Sequence, residues 1–242
     1  MNTVVAQLTL RTLLGRRRAA ILILLPVVLV GLAVLFRAVA GQDETAAVNL
    51  LGGLGLGTIV PLLCVIVGTG SIGPEIEDGS IIYLLSKPVR RSAIVLSKFA
   101  VAVVTGWVFL LPAELISGLV LAESSTHLAL AYTVTAAVAV VAYCALFLLL
   151  AIMSRNAVII GLLYAIVWET TVAGFVPGAR ALSIRQWSLV IAERIVGSDA
   201  RRLRVTSAVD LAPGLVLLAV VTVAAVWYAG QRLRTLRLTT DE

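Results

Sequence analysis

The chain reads as an all-α integral membrane protein with six transmembrane helices, and three observations lead there. Of its 242 residues, 60% are hydrophobic and only 13% are charged, with a mean hydropathy of +1.07; a soluble globule cannot bury that much apolar surface. The apolar residues gather in runs of about 20, the length at which a helix crosses a hydrocarbon core of ~30 Å. Basic residues flank the runs, as topology requires of short loops on the cytoplasmic side.

Taken in order, residues 2–18 set Val4, Val5, Leu8 and Leu14 among Gln7, Arg11 and Arg16-Arg17-Arg18, the pattern of an interfacial helix or of an ordinary positive flank. The first span covers about 19–36. The arginine triplet before it and Ala38-Val39-Ala40 after it imitate a secretory signal. An apolar run of about 18 residues exceeds the roughly 7–15 of a signal core, and Arg37 stands beside the supposed cleavage site, so the run is expected to remain a span.

The second span, about 49–70, contains LGGLGLG, with glycines at 52, 53, 55 and 57. No Gly-Lys-Ser/Thr ending follows, so these positions read as sites of close helix packing or bending, not as a phosphate loop. Pro61 here and Pro112 in the third span, about 99–121, add kinks. Spans at about 128–153, 157–175 and 211–230 complete a single membrane domain, residues 1–242, with no room for a soluble catalytic unit. The connection 176–210 interleaves Leu182, Ile184, Trp187, Leu189, Val190 and Ile191 with charged residues. It reads as an amphipathic segment at the outer interface with Trp187 among headgroups, or as a lid over a pathway.

Six spans place both termini on one side. If that side is cytoplasmic it holds twelve of the nineteen bases, and of the other seven, six lie in the connection 176–210 and one is Arg37. The balance favours cytoplasmic termini. A pI near 9.9 is also a footprint of nucleic-acid binding, but no aromatic and basic platform accompanies it, and flanking charges are what the membrane alone demands. No nucleic-acid partner is expected; membrane lipids are. Seventeen arginines against two lysines fit a GC-rich bacterial genome.

Few side chains could carry chemistry. Cys64 and Cys144 fall inside spans and read as small core residues, neither with a second ligand nearby in sequence. His127, the single histidine, follows Ser124-Ser125-Thr126 at an outer turn without the partners that a catalyst needs. No metal site is expected. Glu114 and Glu169 lie within spans, where a carboxylate must face protein, a cavity or the interface. Each reads as a functional acid or as one that ties two helices together, and Glu169, near a helix end, leans to the second.

The densest signal is PEIEDGSIIYLLSKPVRRSAIVLSK, residues 74–98. Pro74 suits the first turn of a helix, and Glu75, Glu77 and Asp78 stand where the helix dipole favours negative charge. Ile81, Leu84 and Leu85 continue an apolar side, Pro88 ends it, and Ser92 is placed to cap a second helix that runs past Lys98 into the third span. The product is a helical elbow between spans two and three.

This segment resembles the signature of ABC-2-type transporter permeases: an acidic pair, Gly-Ser, a Leu-rich stretch, Pro with a basic-Ser end, then Lys. The matching residues are Glu75 and Glu77, Gly79-Ser80, Leu84-Leu85, Pro88 with Arg90-Arg91-Ser92, and Lys98. The form SKPVRRSAIVLSK is particularly similar to the branch that includes permeases of the nitrous-oxide-reductase maturation transporter.

The resemblance implies a permease subunit of exporting direction that pairs with a second permease copy (a homodimer, or a paralogue) in a bacterial cytoplasmic membrane. Two separate ATPase subunits, carrying ATP and Mg, would dock below, with the elbow inserted in their cleft. On that implication Glu75, Glu77 and Asp78 contact or orient the cleft, Gly79 permits close backbone approach, and Arg90 and Arg91 hold headgroups or clamp the elbow. Lys98 fixes the elbow to the third span. Glu114, Tyr164 and Glu169 are the candidate pathway residues. An embedded enzyme would need polar residues clustered at one depth; a non-transporting scaffold that binds an ATPase would share the fold.

Overall fold

The computed structural model describes residues 3–13, 15–41, 43–79, 91–121, 126–173 and 177–235, and every regular element among them is helical. α1 is Thr3–Leu13 and α2 is Arg16–Ala40. A long interrupted helix follows: α3 Glu44–Val48, a π-helical segment π1 Asn49–Ile59, and α4 Val60–Gly70, with the short α5 Gly73–Glu77 after it. α6 Arg91–Leu121 and α7 Thr126–Met153 form a long hairpin. α8 Ala157–Leu163 continues into a second π segment, π2 Tyr164–Val172. α9 Pro177–Arg180, α10 Ile184–Val196 with a 3-10 turn Gly197–Asp199 after it, and α11 Leu211–Thr235 are the last described elements.

Five helical runs are long and apolar enough to cross a membrane: Arg18–Val39, Glu44–Ile76, Ser92–Leu121, Thr126–Met153 and Leu211–Leu233. The run expected at 157–175 is a shorter apolar helix, Ala157–Val172. It rises about 24 Å at ~1.5 Å per residue, against a core of ~30 Å. Pro61 stands in the first turn of α4, where the bonding register changes from π to α, and its missing N–H is consistent with that change of register.

α7 is the hub, packed against α4, α6, α10 and α11. Its buried face is rich in small residues, among them Ala129, Ala136, Ala139 and Ala142, which let neighbouring backbones approach closely where hydrophobicity itself supplies no drive. A Cβ on Gly118 of α6 would lie 2.7 Å from the backbone Cα of Ala129, and one on Gly68 of α4 would lie 2.7 Å from Cβ of Phe147. The outer layer is different. The α2 and α11 windows are only 22% and 17% buried, against 72% for Glu44–Ile76, so their apolar faces look to lipid or to another subunit.

The elbow helix begins as expected, with Pro74 in the first turn of α5, but it stops at Glu77. Asp78 closes it and Gly79 follows at φ +69, the left-handed conformation in which glycine ends helices. Residues 80–90, with Ser80, Leu84, Leu85, Pro88 and Arg90, lie outside the described residues. Ser92 falls inside α6, one residue after its start, instead of capping it.

One other expectation is corrected. Trp187 is not among headgroups: it is 6% exposed, its indole N–H donates to the Ala181 carbonyl at 2.7 Å, and α10 packs into the groove of α7 and α11. Cys64 of α4 and Cys144 of α7 are, as expected, buried core residues, both free, and the packing of the two helices sets them beside each other. His127 is exposed in the first turn of α7.

Candidate coupling and pathway sites

The end of α4 leaves carbonyls without helical partners, and two cations from other helices take them. Lys98, on α6 and 0% exposed, donates from Nζ to the Ser71 carbonyl at 2.7 Å, to Glu75 Oε1 at 2.6 Å and to Thr9 Oγ1 at 3.4 Å. All three ammonium protons thus have acceptors, on three different elements. Arg18 of α2 donates to the Gly70 carbonyl at 3.3 Å. Positive charge at a helix C-terminus is favourable as well as satisfied. The result is one polar node joining α1, α2, the α4–α5 junction and α6.

Within the elbow the acids separate. Glu75 turns inward to Lys98 with its side chain 19% exposed, while Asp78 faces outward. Glu77 is the last residue of α5, and its side chain, like that of Arg91 at the start of α6, is outside the described residues, as is the whole of Arg90. Among the described residues nothing lies within 4 Å of where a Gly79 side chain would be, so the glycine answers to its left-handed φ.

A second group lies against the glycine run of π1. A Cβ on Gly55 would lie 2.5 Å from Glu114 Oε1, one on Gly52 would lie 3.0 Å from the Tyr132 hydroxyl, and one on Gly57 would lie 3.2 Å from the Arg185 guanidinium carbon. The glycines make room for polar side chains from α6, α7 and α10. Glu114 is 1% exposed and, among the described residues, neither carboxyl oxygen has a hydrogen-bond partner; Ser117 Oγ, one turn along α6, and Arg185 Nε are buried without one too. Buried polar atoms are ordinarily bonded, so this convergence of unfilled donors and acceptors is exceptional. Tyr132 and Arg185 were missed in sequence: the first lies unmarked within the expected span 128–153, the second among the six arginines of the connection 176–210.

Glu169 has the opposite character. It is 0% exposed and accepts from the Tyr164 hydroxyl at 3.0 Å, from the Ile184 backbone N–H at 3.1 Å and from the Ser183 hydroxyl. Ser183 is itself the N-cap of α10, accepting from the Gln186 N–H at 3.3 Å. The carboxylate therefore sits at the positive end of α10 and ties π2 to it. Of the three expected pathway residues, Tyr164 and Glu169 bond to each other, and Glu114 stands without a partner.

Among the described residues no three His, Cys, Asp or Glu side chains gather as a metal ion would require. A comparison with curated proteins gives no match. The family model described as ABC-2 family transporter protein matches residues 14–172, more than half of the chain, including α2 to π2 and with them Lys98, Glu75 and Glu114. With several helices apolar enough to span a membrane, this is a multi-pass membrane protein, and it belongs to the ABC-2 transporter family.

Proposed function

We propose that the chain is the membrane-spanning permease subunit of an ATP-binding cassette exporter, set in a bacterial cytoplasmic membrane with both termini inside. It forms its pathway with a second copy, and separate ATPase subunits holding ATP and Mg drive it from the elbow side. In this reading Ala157–Val172 serves as the sixth span: it starts beside the end of α7, runs along α4 and then π1, and is tied to the start of α10 through Glu169.

The observation that carries the reading is the Lys98 node. An ATPase can shift a membrane domain only by binding its conformations unequally, so a rigid connection must run from the docking surface to the spans. Lys98 supplies it. α5 cannot move without pulling on α6, α4 and α1 together, and outward-facing Asp78 with the open backbone at Gly79 offers the docking face. Glu114, Ser117, Tyr132 and Arg185 around π1 form the polar part of the pathway.

The test is affinity purification in mild detergent of the tagged wild type, of Asp78→Arg and of Lys98→Met/Glu75→Gln. Asp78→Arg should lose a co-purifying ATP-binding subunit; the double variant should keep it and lose the stimulation of its ATP hydrolysis by reconstitution into vesicles. A stable wild-type complex with no nucleotide-binding partner sinks the proposal. Recovery of the ATPase with no substrate of any class stimulating it favours a scaffold.

A further inference from the structure

A cavity of about 200 Å³ opens at the elbow end of the bundle, between α2, the α4–α5 junction, α7 and α8. Its lining includes the apolar Ile21, Ile66 and Val158 and two bases, Arg18 and Arg155; it includes no acidic side chain among the described residues. Arg18 opens the span Arg18–Val39 and Arg155 follows directly on the span Thr126–Met153. Both charges therefore stand at one membrane surface, where hydrocarbon gives way to headgroups. Arg18 gives one N–H to Gly70, and Arg155 is exposed and in no ion pair among the described residues. Ile21 and Val158 are 43% and 48% exposed, so the cavity opens sideways into the bilayer.

We propose that this cavity holds one anionic phospholipid, its phosphate between Arg18 and Arg155 and the upper part of one acyl chain along Ile21, Ile66 and Val158. A soluble phosphate would leave the apolar wall uncovered. A zwitterionic lipid would bring a further cation to a lining that holds two already and, among the described residues, no acid to receive it. The floor includes Gly73 and Pro74, the first residues of α5, so the lipid touches the same short helix that carries Glu75. Lipid occupancy thereby bears on the elbow's position.

The experiment is native mass spectrometry of the full chain after reconstitution in equal parts of phosphatidylglycerol and phosphatidylcholine. Wild type should retain one phosphatidylglycerol per chain in preference to phosphatidylcholine. Arg18→Gln and Arg155→Gln should each weaken retention about fivefold. Val158→Trp, which keeps both charges and fills the apolar wall, should release the lipid, and Arg201→Gln, exposed at the far end, should change nothing. If Arg18→Gln fails to fold because Gly70 loses its donor, Arg155→Gln and Val158→Trp decide alone. Equal retention of the two lipids, or unchanged phosphatidylglycerol in Arg155→Gln, overturns the proposal. Displacement of the lipid by millimolar glycerol phosphate also overturns it, leaving a bare phosphate site.

Discussion

Lys98 and Glu75, 23 positions apart, meet at 2.6 Å with the lysine wholly buried. Removing one member of a buried pair leaves the other uncompensated, whereas replacing both is far milder. Lys98→Met should therefore cost about 3 kcal/mol, the low end of the usual range, because water reaches Glu75 in part. Lys98→Met/Glu75→Gln should recover more than half of the loss. Thermal unfolding in detergent reads both; a single variant as stable as wild type would show that the node holds nothing together.

Close helix contact makes a second prediction. Gly118→Ala places a methyl 2.6 Å from Cβ and 2.7 Å from Cα of Ala129, and a backbone atom cannot step aside as a flexible side chain would. The α6–α7 hairpin must open, at a cost of roughly 1–3 kcal/mol. Gly53→Ala meets nothing within 4 Å among the described residues and should be neutral or slightly stabilising, since alanine is the better helix former. Equal melting temperatures for the two variants would refute the packing argument.

The contrast between Gly53 and Gly55 marks where sequence stops informing. Hydropathy located the membrane runs, Pro74 located the start of α5, and the order of acids, glycine, proline and lysine pointed to the permease family. These are local signals, carried by composition and by residues with restricted backbones. What one glycine faces depends on the register between helices, which no single run encodes. Gly55 meets Glu114 some sixty positions away, Gly57 meets Arg185, and Cys64 meets Cys144. Counting charges by loop hid Arg185 among its neighbours. Trp187 was misplaced because an amphipathic helix can turn its apolar side to lipid or to protein, and only α7 and α11 decide which.

Glu169 accepts from Tyr164, from the Ile184 N–H and from Ser183, so its loss should be felt at the start of α10. Bonds to a charged acceptor contribute roughly 1.5–3 kcal/mol. Glu169→Ala should speed amide exchange in the first turn of α10 by about thirtyfold, the equivalent of ~2 kcal/mol, and leave the centre of α7 unchanged. Hydrogen-exchange mass spectrometry of peptides over Ile184–Val196 gives the answer. Unaltered exchange there would remove Glu169 from the role of anchor.

Glu114 calls for the reverse expectation. Its carboxyl oxygens are buried and unpartnered, as are Ser117 Oγ and Arg185 Nε nearby, and a buried polar group without a partner is a cost to the fold, about 1–3 kcal/mol. Replacing it by an apolar side chain of similar size removes the cost. Glu114→Leu should thus melt at or above the wild-type temperature, where Glu169→Ala melts below it. If Glu114 serves transport, the same variant should lose substrate-stimulated ATP hydrolysis while still co-purifying with the ATPase. Stability kept with stimulation lost would separate a pathway residue from a structural one, because a structural acid cannot be removed without loosening the bundle. Destabilisation of Glu114→Leu by more than about 1 kcal/mol would mean that the carboxyl has a partner in the folded protein, and the pathway would then have to be sought on other residues around π1.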